Sequence, residues 1–235
     1  MSDHKNAEFL KDPEKFLKNN LLIVRIQALE FGAVTREMGE GYTAYRGANK
    51  PKHTDGKVLT VNIQKTQTCF AKNAAGSGID ACEVVEASGV ASKHSHRFSA
   101  YYLPFFNNQT KTMVLQPPLN ATTTPGFYFT DEMTGCAFAA GAGPLPRVGH
   151  FNFTTTGTDD GNIDDGKVNR EIGQALGVPQ KALRKADYKR DAADHVTLLG
   201  VSGANGWTFW WQRFTVTGMK DGKYIYQIGA SPTRI

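Results

Sequence analysis

Cysteine is scarce in this chain of 235 residues, and its number is odd. The three cysteines are Cys69, Cys82 and Cys136. Three cysteines cannot all pair within one chain, so a framework of disulfide bonds is not expected. Reduced thiols in a reducing compartment are the simpler interpretation. A chain of this length can bury a full core without such bonds.

Long apolar runs and an export leader are also lacking. The first twenty residues are charged and contain no apolar central region, so the sequence predicts no cleaved signal peptide. The most apolar run, residues 21–31, is short and carries Arg25, which excludes a membrane-spanning helix there. We expect no stable membrane insertion, and we expect any delivery out of the cell to use a route without a cleaved leader.

Acidic residues are outnumbered by basic ones, which gives a formal net charge of +5 and an isoelectric point of about 9.0. Such a balance can attract nucleic acid, acidic lipid or an acidic protein surface, and charge alone does not choose between them. No zinc-finger or RNA-recognition motif is present, so we expect no nucleic-acid partner. The basic run of residues 180–190 predicts a solvated helix face, with an acidic partner as the alternative.

Glycine and phenylalanine are abundant, with 24 and 14 residues, and both favour a strand-rich fold with many turns. Helices are predicted over residues 6–19, 167–177 and 179–194. Strands are predicted at residues 57–64, 97–105, 111–118, 125–130, 136–141, 147–153, 207–218 and 223–229. Turns at Asn107-Asn108 and Asp221-Gly222 would join two strand pairs as hairpins. We therefore predict one catalytic domain over residues 1–235. Its fold class is α+β, with a mostly antiparallel β-sandwich core flanked by helices.

Two patterns resemble metal sites, and neither is complete. His94 and His96 alternate along a strand-like stretch, but no third ligand is near, so a solvated polar face is the better interpretation. A calcium-loop pattern is formed by Asp160, Asn162, Asp164 and Glu171. Asp165 stands where that loop needs glycine, which instead favours an acidic loop capping the next helix through Asp165. We expect no metal and no other cofactor.

The segment from Phe127 to Phe153, FYFTDEMTGCAFAAGAGPLPRVGHFNF, holds a cysteine and a histidine beside glycines. A catalytic cysteine needs a base to take its proton, and the base needs a third group to orient its ring. A strand FYFT, a tight turn DEMTG and a returning strand CAFAAG would place Thr130 and Cys136 at the two ends of one turn. The next reversal would return His150 on an adjacent strand.

Gly135 precedes the cysteine and has a predicted role of its own. A glycine there lets a substrate approach Cys136 closely, and backbone N–H groups of this turn can stabilise an oxyanion. A catalytic Cys136 is expected to be open to a substrate and to have a depressed pKa, so that it is alkylated faster than Cys69 and Cys82. Burial of the sulfur would instead favour a cysteine that merely packs in the core.

The motif MTGC, with His150 fourteen residues after Cys136, resembles the LSGC motif and downstream histidine of cytotoxic necrotizing factors. It is more similar still to Burkholderia lethal factor, in which a threonine precedes the cysteine by six residues, as Thr130 does here. The chemotaxis deamidase CheD is similar at the same three positions. In this chain Met133 and Thr134 replace the Leu and Ser of LSGC. The resemblance covers residues 127–153.

The resemblance implies a protein-glutamine deamidase, a toxin-like effector that converts a glutamine side chain of a target protein to glutamate. In that case Cys136 is the nucleophile, His150 the general base and acid, and Thr130 the group that orients His150. Family precedents for the target are a host GTPase and a translation factor, reached in a host or target-cell cytosol. Two alternatives stay open: a Cys-His transglutaminase or protease, and a non-catalytic basic β-rich binding module.

Overall fold

The computed structural model describes residues 3–26, 53–87, 97–106, 108–116, 125–155, 162–190, 193–229 and 232–235. The helices in these ranges are α1 (Asp3–Lys11), α2 (Pro13–Asn19), α3 (Asp165–Leu176) and α4 (Lys185–Tyr188). The first strands are β1 (Asn20–Val24), β2 (Lys57–Lys65), β3 (Cys69–Lys72), β4 (Gly78–Glu86), β5 (Phe98–Leu103), β6 (Gln109–Val114) and β7 (Phe127–Thr130). The later strands are β8 (Ala137–Ala140), β9 (Arg147–Asn152), β10 (Lys181–Leu183), β11 (Asp194–Gly203), β12 (Gly206–Lys220), β13 (Lys223–Ile228) and β14 (Thr233–Arg234).

The larger of two sheets contains ten strands in the order β1-β4-β2-β5-β7-β11-β12-β13-β3, with β14 paired to β12. Strand β3 also pairs with β4, so the path from β4 to β3 closes on itself. The pairs β1–β4, β5–β7 and β13–β3 are parallel. The fold is therefore α+β and mostly β, as predicted, but its larger sheet is mixed.

Strand β1 is buried along its whole length. Its alternate residues pack into two separate core clusters. The edge away from β4 is bonded by side chains of other strands: Leu22 N donates to Gln212 Oε1 at 2.9 Å, and Thr197 Oγ1 donates to Leu22 O at 2.6 Å. Buried backbone groups need partners, and here polar side chains supply them.

The smaller sheet has the order β10-β8-β9-β6 and is covered on both faces. On one face Phe138 and Val148 pack with Tyr128 and Leu198 of the larger sheet. On the other face a cluster of apolar side chains includes residues of helix α3. The interface between the two sheets is where the predicted site lies.

Helix boundaries follow local capping chemistry. The predicted helix over 6–19 is two helices, because Asp12 caps α2 by accepting from Lys15 N at 2.9 Å, directly before Pro13. Helix α3 is confirmed and ends at Gly177, whose φ of 70° suits glycine. Its N-cap is Asp164, whose side chain accepts from Lys167 N, so the predicted cap at Asp165 is wrong by one residue.

Within the described ranges, no helix is both long and apolar enough to cross a membrane.

The predicted helix over 179–194 is wrong. The stretch forms β10, which pairs with β8, and the short helix α4. Gln180 N donates to Ala140 O at 3.0 Å, so pairing with the smaller sheet prevails over local helix preference. Its lysines do not share one solvated face: Lys181 Nζ donates to Trp207 O, and Lys189 Nζ donates to Thr134 O.

Two predicted hairpins, that of β5 with β6 and that of β7 with β8, are also wrong. Strands β5 and β7 belong to the larger sheet, whereas β6 and β8 belong to the smaller one. The chain therefore crosses between sheets after β5 and again between β7 and β8. Alternating polarity identifies a strand but does not identify its neighbour, so the pattern could not exclude a crossing. Asn107 of the first predicted turn lies outside the described residues.

The hairpin of β12 and β13 is confirmed. It turns through Asp221 and Gly222, whose φ values are 51° and 71°. Positive φ at both central residues is typical of the type I′ turn that Asp-Gly favours. The alternating strand predicted at residues 57–64 is confirmed as β2.

Candidate active site

Thr130, Cys136 and His150 lie at the interface of the two sheets. Thr130 ends β7 of the larger sheet, and His150 lies within β9 of the smaller sheet. Phe138 of β8 is directly opposite His150 in the antiparallel pair. Cys136 shares its core cluster with Phe138 and Ala140, so it points to the same face as Phe138. Cys136 lies one residue before β8, and its sulfur makes no hydrogen bond to His150 Nε2, so the predicted contact between nucleophile and base is not formed in this structure.

The imidazole of His150 is held in one tautomer by Thr130. Thr130 Oγ1 donates its hydrogen to Leu103 O at 2.8 Å. The same oxygen lies 2.7 Å from His150 Nδ1. Since the hydroxyl has one hydrogen and a carbonyl can only accept, Nδ1 must carry the proton and donate to Thr130. Nε2 is therefore the nitrogen with the free lone pair.

Nothing among the described residues hydrogen-bonds to His150 Nε2, although that atom is buried. Burial lowers the pKa of His150 to about 3, because the interior disfavours the charged imidazolium. The Phe105 ring packs against the imidazole with centroids 5.0 Å apart. His150 is thus neutral, oriented and unpartnered at Nε2, but a pKa of about 3 makes it a weaker base here than a general base working near neutral pH.

Cys136 is a buried thiol and not a preformed thiolate. Only 4% of its surface is exposed, and burial raises its pKa to about 12. Backbone hydrogen bonds at Thr134 and Gly135 and the charge of Lys189 act in the opposite direction. Burial also raises the pKa of Cys69 to about 11 and of Cys82 to about 12. The expected open cysteine with a depressed pKa is therefore wrong for this conformation.

The space beside Gly135 is occupied. A Cβ placed on Gly135 would lie 3.2 Å from Cγ1 of Ile163, so the absent side chain makes room for isoleucine. Ile163 and Phe105 are both half-buried. The space beside Gly135 into which a substrate was predicted to enter is thus filled by Ile163 in this conformation.

Asp131 is a site residue that the sequence analysis missed. Its carboxylate accepts from the Tyr102 hydroxyl, and from Phe105 N at 2.9 Å. Burial raises the pKa of Asp131 to about 6, although both hydrogen bonds oppose the rise. Asp131 thereby fixes the backbone of the residue that packs on His150. Its position next to Thr130 is the sequence signal that could have identified it.

Tyr188 and Lys189 were also missed as neighbours of the cysteine. Tyr188 Oη donates to Cys136 O at 2.9 Å, and Lys189 Nζ donates to Thr134 O. Both follow β10 in a stretch where the sequence predicted a helix. No local signal linked that stretch to residues more than fifty positions earlier.

The two metal-like patterns of the sequence lie only partly within the described residues. His94, His96 and Asp160 lie outside the described residues, and Asp164 is engaged as the cap of α3. In the described part of the chain, no three His, Cys, Asp or Glu residues are grouped as metal ligands would be.

Comparison of the chain with known proteins finds no matching family model and no similar curated sequence. The argument for an activity therefore depends on the geometry of Thr130, Cys136 and His150.

Proposed function

We propose that the protein is a cysteine-dependent hydrolase that deamidates a glutamine side chain of a target protein. The supporting observation is the Thr130–His150 hydrogen bond, which leaves the Nε2 lone pair of His150 unpartnered on the face that also carries Cys136. A base oriented by a third group is part of the arrangement that thiol nucleophiles require, and Cys136 Sγ would have to come within hydrogen-bond reach of Nε2 when substrate binds.

The reaction begins with proton transfer from Cys136 Sγ to His150 Nε2 as sulfur attacks the amide carbon. The tetrahedral intermediate then expels ammonia, whose nitrogen takes the proton from Nε2. A water molecule then gives a proton to His150 Nε2 and attacks the thioester carbon. The sulfur of Cys136 leaves and takes that proton back from Nε2. The net change is glutamine plus water to glutamate plus ammonia. Thr130 keeps Nδ1 protonated throughout, so Nε2 is always the atom that exchanges protons.

Enclosure of the site favours a slender substrate group. Phe105 packs on His150, Ile163 lies beside Gly135, and Cys136 is only 4% exposed, so little open space surrounds these residues. A glutamine side chain ends in a narrow primary amide on a flexible stem. Cleavage of a peptide bond needs an extended backbone laid across the sulfur, and this demands a wider opening. Deamidation is therefore favoured over proteolysis.

The biological setting is part of the same proposal. A protein-glutamine deamidase of this kind would act as a toxin-like effector delivered to a host or target-cell cytosol. The conversion of a neutral amide to a carboxylate would place a charge in the target, where a buried hydrogen bond can be lost. A host GTPase and a translation factor are the two target classes that the resemblance suggests.

The decisive experiment incubates cell lysate with wild-type protein and with Cys136→Ser. Peptide mass spectrometry then searches for glutamine-to-glutamate conversions. Cys69→Ser is the matched control, because Cys69 is also a buried free thiol. We expect conversions with wild type and Cys69→Ser and none with Cys136→Ser. Identical sets from all three proteins would refute the proposal.

Two further assays separate the alternatives. Incorporation of a labelled amine into target proteins would identify transglutamination, and fragments on a gel would identify proteolysis. The non-catalytic binding module is favoured by one observation, the burial and raised pKa of all three thiols. Equal, slow alkylation of the three cysteines together with no conversion in lysate would favour that alternative.

A further inference from the structure

The turn that carries Cys136 is held by two side chains from one short segment. Tyr188 at the end of α4 donates to the carbonyl of Cys136, and Lys189 donates to the carbonyl of Thr134. The two bound carbonyls flank Gly135 on both sides. Tyr188 is fully buried and Lys189 is half-buried, so both hydrogen bonds are shielded from competing water.

These bonds determine where the turn's N–H groups point. In a planar trans peptide the carbonyl and the following N–H are directed oppositely. When Lys189 binds Thr134 O, the N–H of Gly135 is turned away from the lysine. The Gly135 backbone favours the charged forms of both Cys136 and Tyr188, which is the direction expected of an N–H group facing them.

Lys189 also contributes charge. Its ammonium group favours the thiolate of Cys136, whereas Asp131 disfavours it. A cation near a thiol is one of the recurrent means by which proteins increase cysteine reactivity. The half-buried position of Lys189 preserves this effect, because water screens buried charges less than exposed ones.

We propose that Lys189 is a positioning residue for Cys136: it holds the turn through the Thr134 carbonyl and supplies a positive charge that favours the thiolate, while Tyr188 holds the Cys136 carbonyl. This inference rests on the proposed function, because it assigns a role in the chemistry of the same cysteine. It makes the stretch after β10 part of the site.

The test compares Lys189→Met, which removes the charge and the donor, with Lys189→Arg, which keeps both. Lys181→Met is the matched control, since Lys181 also donates to a backbone carbonyl but at Trp207. Alkylation of native protein by iodoacetamide is followed separately at each cysteine by peptide mass spectrometry, at one mildly alkaline pH. Because Cys69 and Cys82 are measured in the same sample, they report any general loosening of the fold.

Lys189→Met should slow alkylation of Cys136 about tenfold, which corresponds to one unit of pKa. Cys69 and Cys82 should keep their rates, and Lys189→Arg and Lys181→Met should behave like wild type. Unchanged or faster labelling of Cys136 in Lys189→Met would overturn the inference, as would an equal change at all three cysteines.

Deamidation is measured in parallel with the same variants. A wild type that deamidates together with an equally active Lys189→Met removes the role of Lys189 but leaves the proposed function intact. A wild type that does not deamidate removes the proposed function, whereas the labelling experiment still reports whether Lys189 controls the thiol.

Discussion

Replacing Thr130 with valine tests the tautomer argument most directly. Valine keeps the shape of threonine but cannot accept from His150 Nδ1 or donate to Leu103 O. The Nδ1–H would then be buried without a partner, which costs about 1–3 kcal/mol, and the carbonyl would lose a bond worth about 1 kcal/mol. We expect the free energy of unfolding to fall by roughly 2–4 kcal/mol. We also expect the preference for Nδ1 protonation to disappear.

The first measurement is urea unfolding of Thr130→Val, Thr130→Ser and Thr197→Val. Serine retains the hydroxyl, and Thr197 is a buried threonine that donates to one carbonyl without a histidine partner. The second measurement is nitrogen NMR of the His150 ring, which distinguishes its tautomers. The reasoning is refuted if Thr130→Val loses no more stability than Thr197→Val and the ring stays protonated at Nδ1.

Three other predictions follow from the same structure. Gly149→Ala should destabilise the fold by roughly 1–3 kcal/mol, because a Cβ would lie 2.5 Å from the Phe151 ring. Gly173→Ala in α3 has open space around it and should be neutral or stabilising. Thermal unfolding of both variants measures the difference. His150 has a lower pKa in the folded than in the unfolded state, so the free energy of unfolding should fall as pH falls from 6.5 toward 3, by at most roughly 5 kcal/mol. Urea unfolding at a series of pH values should show a smaller loss of stability in acid for His150→Gln than for wild type. Gln212→Leu removes three buried hydrogen bonds to the α2–β1 segment and should cost roughly 2–4 kcal/mol in urea unfolding; a loss within experimental error would contradict that role.

Features governed by neighbouring residues could be predicted from the sequence. The Asp221-Gly222 turn joins β12 and β13 because both residues adopt positive φ, which their types favour. Helix α3 forms where apolar spacing and a following glycine indicate it. The meeting of Thr130 with His150 was also predicted, although by a different route, since β7 and β8 belong to different sheets.

Features that depend on distant partners could not be predicted. The stretch after Pro179 has helical spacing, yet β10 forms because the edge of β8 offers backbone partners. Tyr188 and Lys189 reach the cysteine through this pairing, which no local pattern encodes. The exposure of Cys136 was mispredicted for the same reason, because it packs in a core cluster with residues of distant elements, such as Tyr188 of α4 and Leu198 of β11.

The side-chain bonding of β1 has a consequence for the order of folding. The backbone of Leu22 is bonded by Gln212, which lies 190 positions later in the chain, and by Thr197, which lies 175 positions later. During synthesis this apolar strand emerges early and stays without those partners until β11 and β12 exist. Contacts between such distant residues also carry the loop-closure entropy that slows folding. Strand β1 is therefore among the last of the described elements that folding can complete.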